Sequence, residues 1–268
     1  MALLLAAAPV SAAQTGPPPV RWMEQPIAPV PFGVGERMEY DVKYGIFGTI
    51  GKGVLHVTEI DTIRGNPSYH IDFTLKGGIP FAKVDDRHQS WLDVSRLISH
   101  RYDQDVDEVG YQRHRIVDFF PREGRWEQLV RRKEKDEVET GELATEEPLD
   151  DISFLYYVRT LPLEVGETYT IPRYWKDEGN PVTVQVLRRE KVKLPAGEFE
   201  TIVVRPIIKT KGLFSEGGEA EVFFTDDDRR LLVQLKTKVS FGTLNLVLKT
   251  FEEGTGLASA GGSVGRRP

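Results

Sequence analysis

Of the 268 residues, 40% are hydrophobic, 28% are charged and none is cysteine, which excludes a disulfide scaffold, a cysteine-built zinc module and an intrinsically disordered chain. Thirty-five Lys and Arg against 41 Asp and Glu leave a formal charge of −6, so no nucleic-acid partner is expected. The length allows one large β-rich domain or two smaller ones.

The chain begins Met-Ala-Leu-Leu-Leu-Ala-Ala-Ala-Pro-Val and continues Ser11, Ala12, Ala13, an apolar run with the small-residue ending of a secretory signal. No Lys or Arg precedes it, so the basic start of such a signal is missing. Cleavage after Ala13 fits best, and export to the periplasm or the extracellular space is expected. About ten apolar residues are too few to stay as a membrane span. Residues 14–31 hold six prolines and read as an extended, poorly ordered linker.

The folded domain is expected over residues 32–252, where period-two alternation dominates. Met38, Tyr40, Val42 and Tyr44 interleave with Arg37, Glu39, Asp41 and Lys43, which puts the apolar set on one face of a half-buried strand. Tyr69, Ile71, Phe73 and Leu75 repeat the pattern. Further strands are predicted at 53–60, 87–94, 97–105, 111–120, 125–133, 182–193, 198–206, 218–225, 230–240 and 242–251. Between them lie turn sequences such as Arg64-Gly65-Asn66-Pro67 and Asp226-Asp227-Asp228. Asp150 and Asp151 form a carboxylate N-cap for a helix of about ten residues ending at Pro162, apolar on nearly every side, with Leu155 and Tyr156 expected to be buried. Residues 253–268, rich in Gly, Ser and Ala, read as a disordered tail. The predicted fold is all-β: an antiparallel meander curled into a half-barrel or open barrel, with the short helix packed on its concave side. Val34-Gly35-Glu36 and Val165-Gly166-Glu167 echo each other, through duplication or because Gly-Glu is a convenient way to begin a strand.

Five segments in sequence carry a resemblance: Phe32-Gly-Val-Gly-Glu-Arg-Met-Glu-Tyr40, Ser90-Trp-Leu-Asp93, Asp151-Ile-Ser-Phe-Leu-Tyr-Tyr-Val-Arg159 with Leu161-Pro-Leu163, Val192-Lys-Leu-Pro-Ala-Gly-Glu-Phe199 and Thr225-Asp-Asp-Asp-Arg-Arg-Leu-Leu232. Together they resemble an exported bacterial family of unknown function, domain of unknown function number 3108. The resemblance implies a signal-bearing envelope protein with an extensive antiparallel sheet, and it brings no activity, cofactor or catalytic residue with it.

Acid–base chemistry needs paired carboxylates in distinct environments. Asp150 with Asp151 is accounted for by the helix start, and Asp226 to Asp228 by an exposed hairpin. Asp85-Asp86-Arg87-His88 precedes Trp91 on a predicted strand and combines an acid, a base and a stacking surface. A solvated start to the strand explains it most simply, and Asp86, Arg87, His88 and Trp91 are the candidate ligand-binding set. Histidines 56, 70, 88, 100 and 114 are dispersed, so no metal site is expected. No Gly-x-Ser-x-Gly elbow lies between a predicted strand and helix, and Gly45, Gly48, Gly51 and Gly53 read as bends, not as a phosphate loop. No catalytic residue or cofactor is assigned. Tyr40, Tyr44, Tyr69, Phe73, Trp91, Tyr102, Tyr111, Phe119 and Trp126 recur on successive strands and, facing inward, could line a groove. The expected function is non-enzymatic binding of a hydrophobic or glycan ligand, or of an envelope partner protein, in the concavity. The alternatives are an enzyme acting on envelope polysaccharide through Asp86 and His88, and an interaction scaffold that pairs a partner strand at a sheet edge.

Overall fold

The computed structural model describes residues 20–22, 30–79, 82–108, 110–131, 136–208, 220–239 and 242–255. The predicted signal segment 1–13 and the tail beyond residue 255 lie outside the described residues.

A single sheet organises the molecule. Its strands are β1 (Val20–Trp22), β2 (Arg37–Tyr44), β3 (Thr49–Ile63), β4 (Asn66–Ile79), β5 (Ala82–Asp93), β6 (Ser99–Glu108), β7 (Tyr111–Phe120), β8 (Arg125–Arg131) and β9 (Glu137–Glu142), then β10 (Thr168–Ile171), β11 (Val182–Leu194), β12 (Gly197–Ile207), β13 (Glu221–Thr225), β14 (Leu232–Val239) and β15 (Gly242–Glu252). The spatial order is β1-β10-β11-β12-β13-β14-β15-β2-β3-β4-β5-β6-β7-β8-β9. Every neighbouring pair is antiparallel except β1 with β10. Two meanders are thus joined where the last strand pairs with β2, Leu248 opposite Tyr40 and Leu246 opposite Val42. The sheet does not close, since its two edge strands, β1 and β9, are not paired with each other. The segments that follow β9 and β10 in the chain nevertheless come together: Ala144 N–H donates to the Trp175 carbonyl at 3.2 Å and Leu149 N–H to the Arg173 carbonyl at 2.7 Å.

The alternation predicted for β2 is realised, with Met38, Tyr40 and Val42 buried between half-exposed neighbours. At the β3–β4 turn Arg64 and Gly65 take φ of 49° and 81°, the left-handed pair that a two-residue hairpin requires. Two strands carry no apolar alternation to announce them. β9 reads Glu-Val-Glu-Thr-Gly-Glu because it is a solvated edge strand, and a side chain at its Gly141 would come within 2.5 Å of the Trp126 ring. β1 is three residues from the proline-rich stretch, where an extended backbone is already favoured.

The two Val-Gly-Glu triplets perform the same backbone task. Gly35 and Gly166, both at φ 90°, donate to Val57 and Val186, and those valines donate back to Glu36 and Glu167, all between 2.8 and 2.9 Å. Each valine sits at a register irregularity, on β3 and β11 respectively.

The helix α1 spans Asp151–Val158, eight residues against the ten or so expected, because the chain passes into turns at Arg159 and Thr160, where the Thr160 hydroxyl donates back to the Tyr157 carbonyl at 2.7 Å. Asp150 caps it, accepting from the Ile152 and Ser153 amides, and Ser153 returns a bond to the Asp150 amide. The Asp150 carboxylate also accepts from Ser90 of β5 at 2.7 Å, which pins the helix start to the sheet. Phe154, Tyr156, Tyr157 and Val158 are buried. Leu155 is not: one turn on from Asp151 on the same helix face, it is half-buried and borders a cavity, which corrects the expectation of burial. The helix end is fixed by Arg159, whose guanidinium donates to both oxygens of buried Glu36 at 2.7 Å and to the carbonyls of Pro31 and Arg229 at 2.9 Å.

Candidate functional site

Between the concave face of the sheet and α1 lies a cavity of about 770 Å³. Strand register builds its two kinds of wall. On β5, Asp86 stands between Leu75 of β4 and Val106 of β6, and Arg113 of β7 lies beyond Val106. His88 stands between Phe73 and Gln104, with Arg115 beyond Gln104. Two strand spacings separate the acid and imidazole from the guanidinium backbone positions, about 10 Å. The polar wall therefore belongs to β5, β6 and β7, with Lys176 and Glu178 added from the segment after β10. Across from it, Leu55, Leu232, Leu235, Leu244 and Leu246, with Leu155 of α1, supply an apolar wall.

A hydrogen-bonded chain runs along the polar wall. His88 Nδ1 lies 2.6 Å from the Tyr102 hydroxyl, and that hydroxyl lies 3.4 Å from an Asp151 carboxylate oxygen. The Tyr174 hydroxyl donates to the other oxygen of Asp151, also at 3.4 Å. With Tyr102 donating to Asp151, His88 donates through Nδ1 and keeps Nε2 as an acceptor. Burial holds His88 below the ordinary histidine range despite the pull of Asp151, so the ring is neutral at pH 7. Burial likewise raises both tyrosines, which stay protonated donors. Asp86 is pushed up to about 6, first by burial and then by the neighbouring Glu108 carboxylate, while the Asp107 amide donates to it at 3.2 Å. Among the described residues no three His, Asp or Glu side chains converge to hold a metal ion.

Of the four residues singled out from sequence, the structure brings two together. Asp86 and His88 face the cavity. Arg87 and Trp91 project from the opposite face of β5, because successive side chains of a strand alternate sides. Arg87 is bound to Asp72 through Nε at 3.1 Å and Nη2 at 2.8 Å. Trp91 stacks on His70 with ring centroids 4.5 Å apart and donates to Asp61 at 2.9 Å. No single small ligand in the cavity can touch all four.

Residues 39–249 match the sequence profile of DUF3108, described as a protein of unknown function. The chain belongs to the DUF3108 family. No curated protein matches it. Among solved structures the DUF3108 chain is similar to a β-barrel-like protein of domain of unknown function DUF1849 from Brucella abortus, at 11% identity over 84% of this chain and 99% of that one, with a TM-score of 0.49. It is also similar to a candidate lipoprotein from Parabacteroides distasonis, at 9% identity over 86% and 100% of the two chains and a TM-score of 0.30. A candidate exported protein with a YmcC-like fold from Bacteroides fragilis aligns at 9% identity over 84% and 98%, with a TM-score of 0.27. In the described DUF3108 residues no helix is long and apolar enough to cross a membrane.

Arg113, Arg115, Asp151, Tyr174 and Lys176 were missed as site residues of this DUF3108 domain. A signal existed for two of them. Arg113 and Arg115 share strand parity with Val117 and Phe119, both fully buried, so charged groups sit on the apolar face of β7. Nothing local marks Lys176 or Tyr174, which reach the cavity only because the segment after β10 folds against the one after β9.

Proposed function

We propose that this DUF3108 domain is an exported binding protein that holds an amphiphilic small molecule in its concavity and does no chemistry on it. The observation that carries the reading is the division of one cavity into a leucine wall and a wall of ionisable side chains. Its volume falls within the roughly 300–1,000 Å³ of small-molecule sites. An alkyl chain suits the wall of leucines better than a sugar ring does, since leucine side chains offer neither a flat face to stack on a sugar nor a hydrogen-bond partner for its hydroxyls. Export rests on the apolar amino-terminal run, and the periplasm or the extracellular space is the destination it implies. Native mass spectrometry of the protein purified from its own envelope, beside a Leu75→Trp variant that fills the cavity, tests the reading. A retained amphiphile that the variant loses is the expected result. A chain that carries nothing and binds no alkyl probe would overturn it.

One observation favours a second reading, an enzyme acting on envelope polysaccharide. The Asp86 carboxyl, raised to about 6 beside Glu108 and one inward position from His88, has the character of a general acid. Loss of a measurable hydrolysis in Asp86→Asn with binding intact would establish it.

A further inference from the structure

Among the described residues, three cations at the polar end of the cavity have no ion-pair partner. Arg113 and Arg115 occupy consecutive inward positions of β7, and Lys176 approaches them from the segment after β10. Several arginines elsewhere are matched: Arg64 and Arg101 with Asp118, Arg87 with Asp72, Arg188 with Glu221 and Arg229 with Asp227. Among the described residues neither cavity arginine nor Lys176 has a carboxylate within ion-pair distance. The Arg115 Nε is buried with no hydrogen-bond partner, and its Nη1 reaches only the Gln128 side chain at a long 3.4 Å. Lys176 Nζ lies over the rings of Trp175 and Trp126, at 4.5 and 5.1 Å from their centroids.

The acids that share the cavity do not neutralise them. Asp151 is held by the two tyrosine hydroxyls, Asp86 and Glu108 interact with each other, and Glu178 acts on Lys176 from beyond ion-pair range. Burial, and then the positive charge of Arg115, keeps Lys176 below the ordinary lysine range. Unpaired guanidinium groups that border a cavity are costly unless an anion enters it.

We propose that the cavity takes an amphiphile with an anionic headgroup, a carboxylate or a phosphate, seated between Arg113, Arg115 and Lys176 with its chain along the leucine wall. The assignment rests on the cavity reading above and adds the sign of the headgroup. A guanidinium offers planar, paired N–H donors that fit either anion, and an ammonium supplies a compact third charge.

Titration calorimetry on the full-length protein tests it with four twelve-carbon probes below their micellar concentrations: dodecyl phosphate, dodecanoate, dodecyltrimethylammonium and dodecyl maltoside. At least one anionic probe is expected to bind about tenfold or more tighter than the cationic and neutral probes. The double variant Arg113→Gln/Arg115→Gln should lose that advantage while keeping the parent's far-ultraviolet spectrum, which shows that the variant is folded. Preference between dodecyl phosphate and dodecanoate identifies the anion. Equal binding of all four probes, or anion binding unchanged in the double variant, overturns the headgroup assignment and leaves the cavity reading standing. Failure of every probe to bind overturns both.

Discussion

Asp86 lines the cavity at a cost to the fold. Folding raises its proton affinity, so its contribution to stability is fully present below about pH 4, where an aspartate in the unfolded chain is also protonated. That contribution is lost as pH rises through about 6. Asp86→Asn keeps an acceptor for the Asp107 amide and abolishes the titration. The variant should be more stable than the parent by about 1–3 kcal/mol at pH 7, a difference that shrinks below pH 4, in urea unfolding at the two pH values. Parallel pH profiles for parent and variant would show that Asp86 titrates as in water. The neighbouring residues show how far sequence reasoning reached at this scale. Asp86 and His88 were legible as a polar pair, and Arg87 and Trp91 were grouped with them by proximity in sequence. Strand alternation separates the two sets, and the outward pair spends its bonds on Asp72 and Asp61.

At the scale of the element, α1 is where packing is least forgiving. Phe154 is 1% exposed, while Leu155 looks into the cavity. Phe154→Ala should cost about 3–5 kcal/mol in urea unfolding, and Leu155→Ala less than about 2, since its side chain already has open space on one side. Equal costs would mean that Leu155 is as enclosed as Phe154. The far end of the helix gives a second test. Glu36→Ala would leave the Arg159 guanidinium buried with only carbonyl partners, a loss of about 3–5 kcal/mol. A loss below about 1 kcal/mol would show that water reaches Arg159. The cap itself was readable, because Asp150 followed by Ser153 satisfies orphan amides through local bonds. The Glu36 partnership was not, because 123 residues separate the two charges in the chain.

At the scale of the molecule, the sheet forms from two meanders that begin alike, each with a Val-Gly-Glu triplet locked to the second strand of its hairpin. The sheet stays open between its edge strands β1 and β9, and the segment after β9 meets the one after β10, which carries Tyr174, Trp175 and Lys176 to the cavity, so the polar wall is completed by a contact outside the sheet. Export belongs to this scale as well. Amino-terminal sequencing of the mature protein is expected to start near Gln14, and recovery of intact Met1 from a cytoplasmic fraction would remove that expectation. The family was legible because its segments are contiguous runs, whereas the cavity draws its residues from strands far apart in sequence.

By itself the sequence determined what depends on a few neighbouring residues: the period-two strands, the turns, the capped helix and the parity that groups side chains along one strand. Backbone sterics and local hydrogen bonds set these, and they need no distant partner. Only the tertiary structure decided which parity faces the helix, which strands stand side by side, and that leucines after residue 230 oppose acids before residue 110. These depend on the pairing of β15 with β2 and on the curl of the sheet, which bring together positions that no local pattern relates.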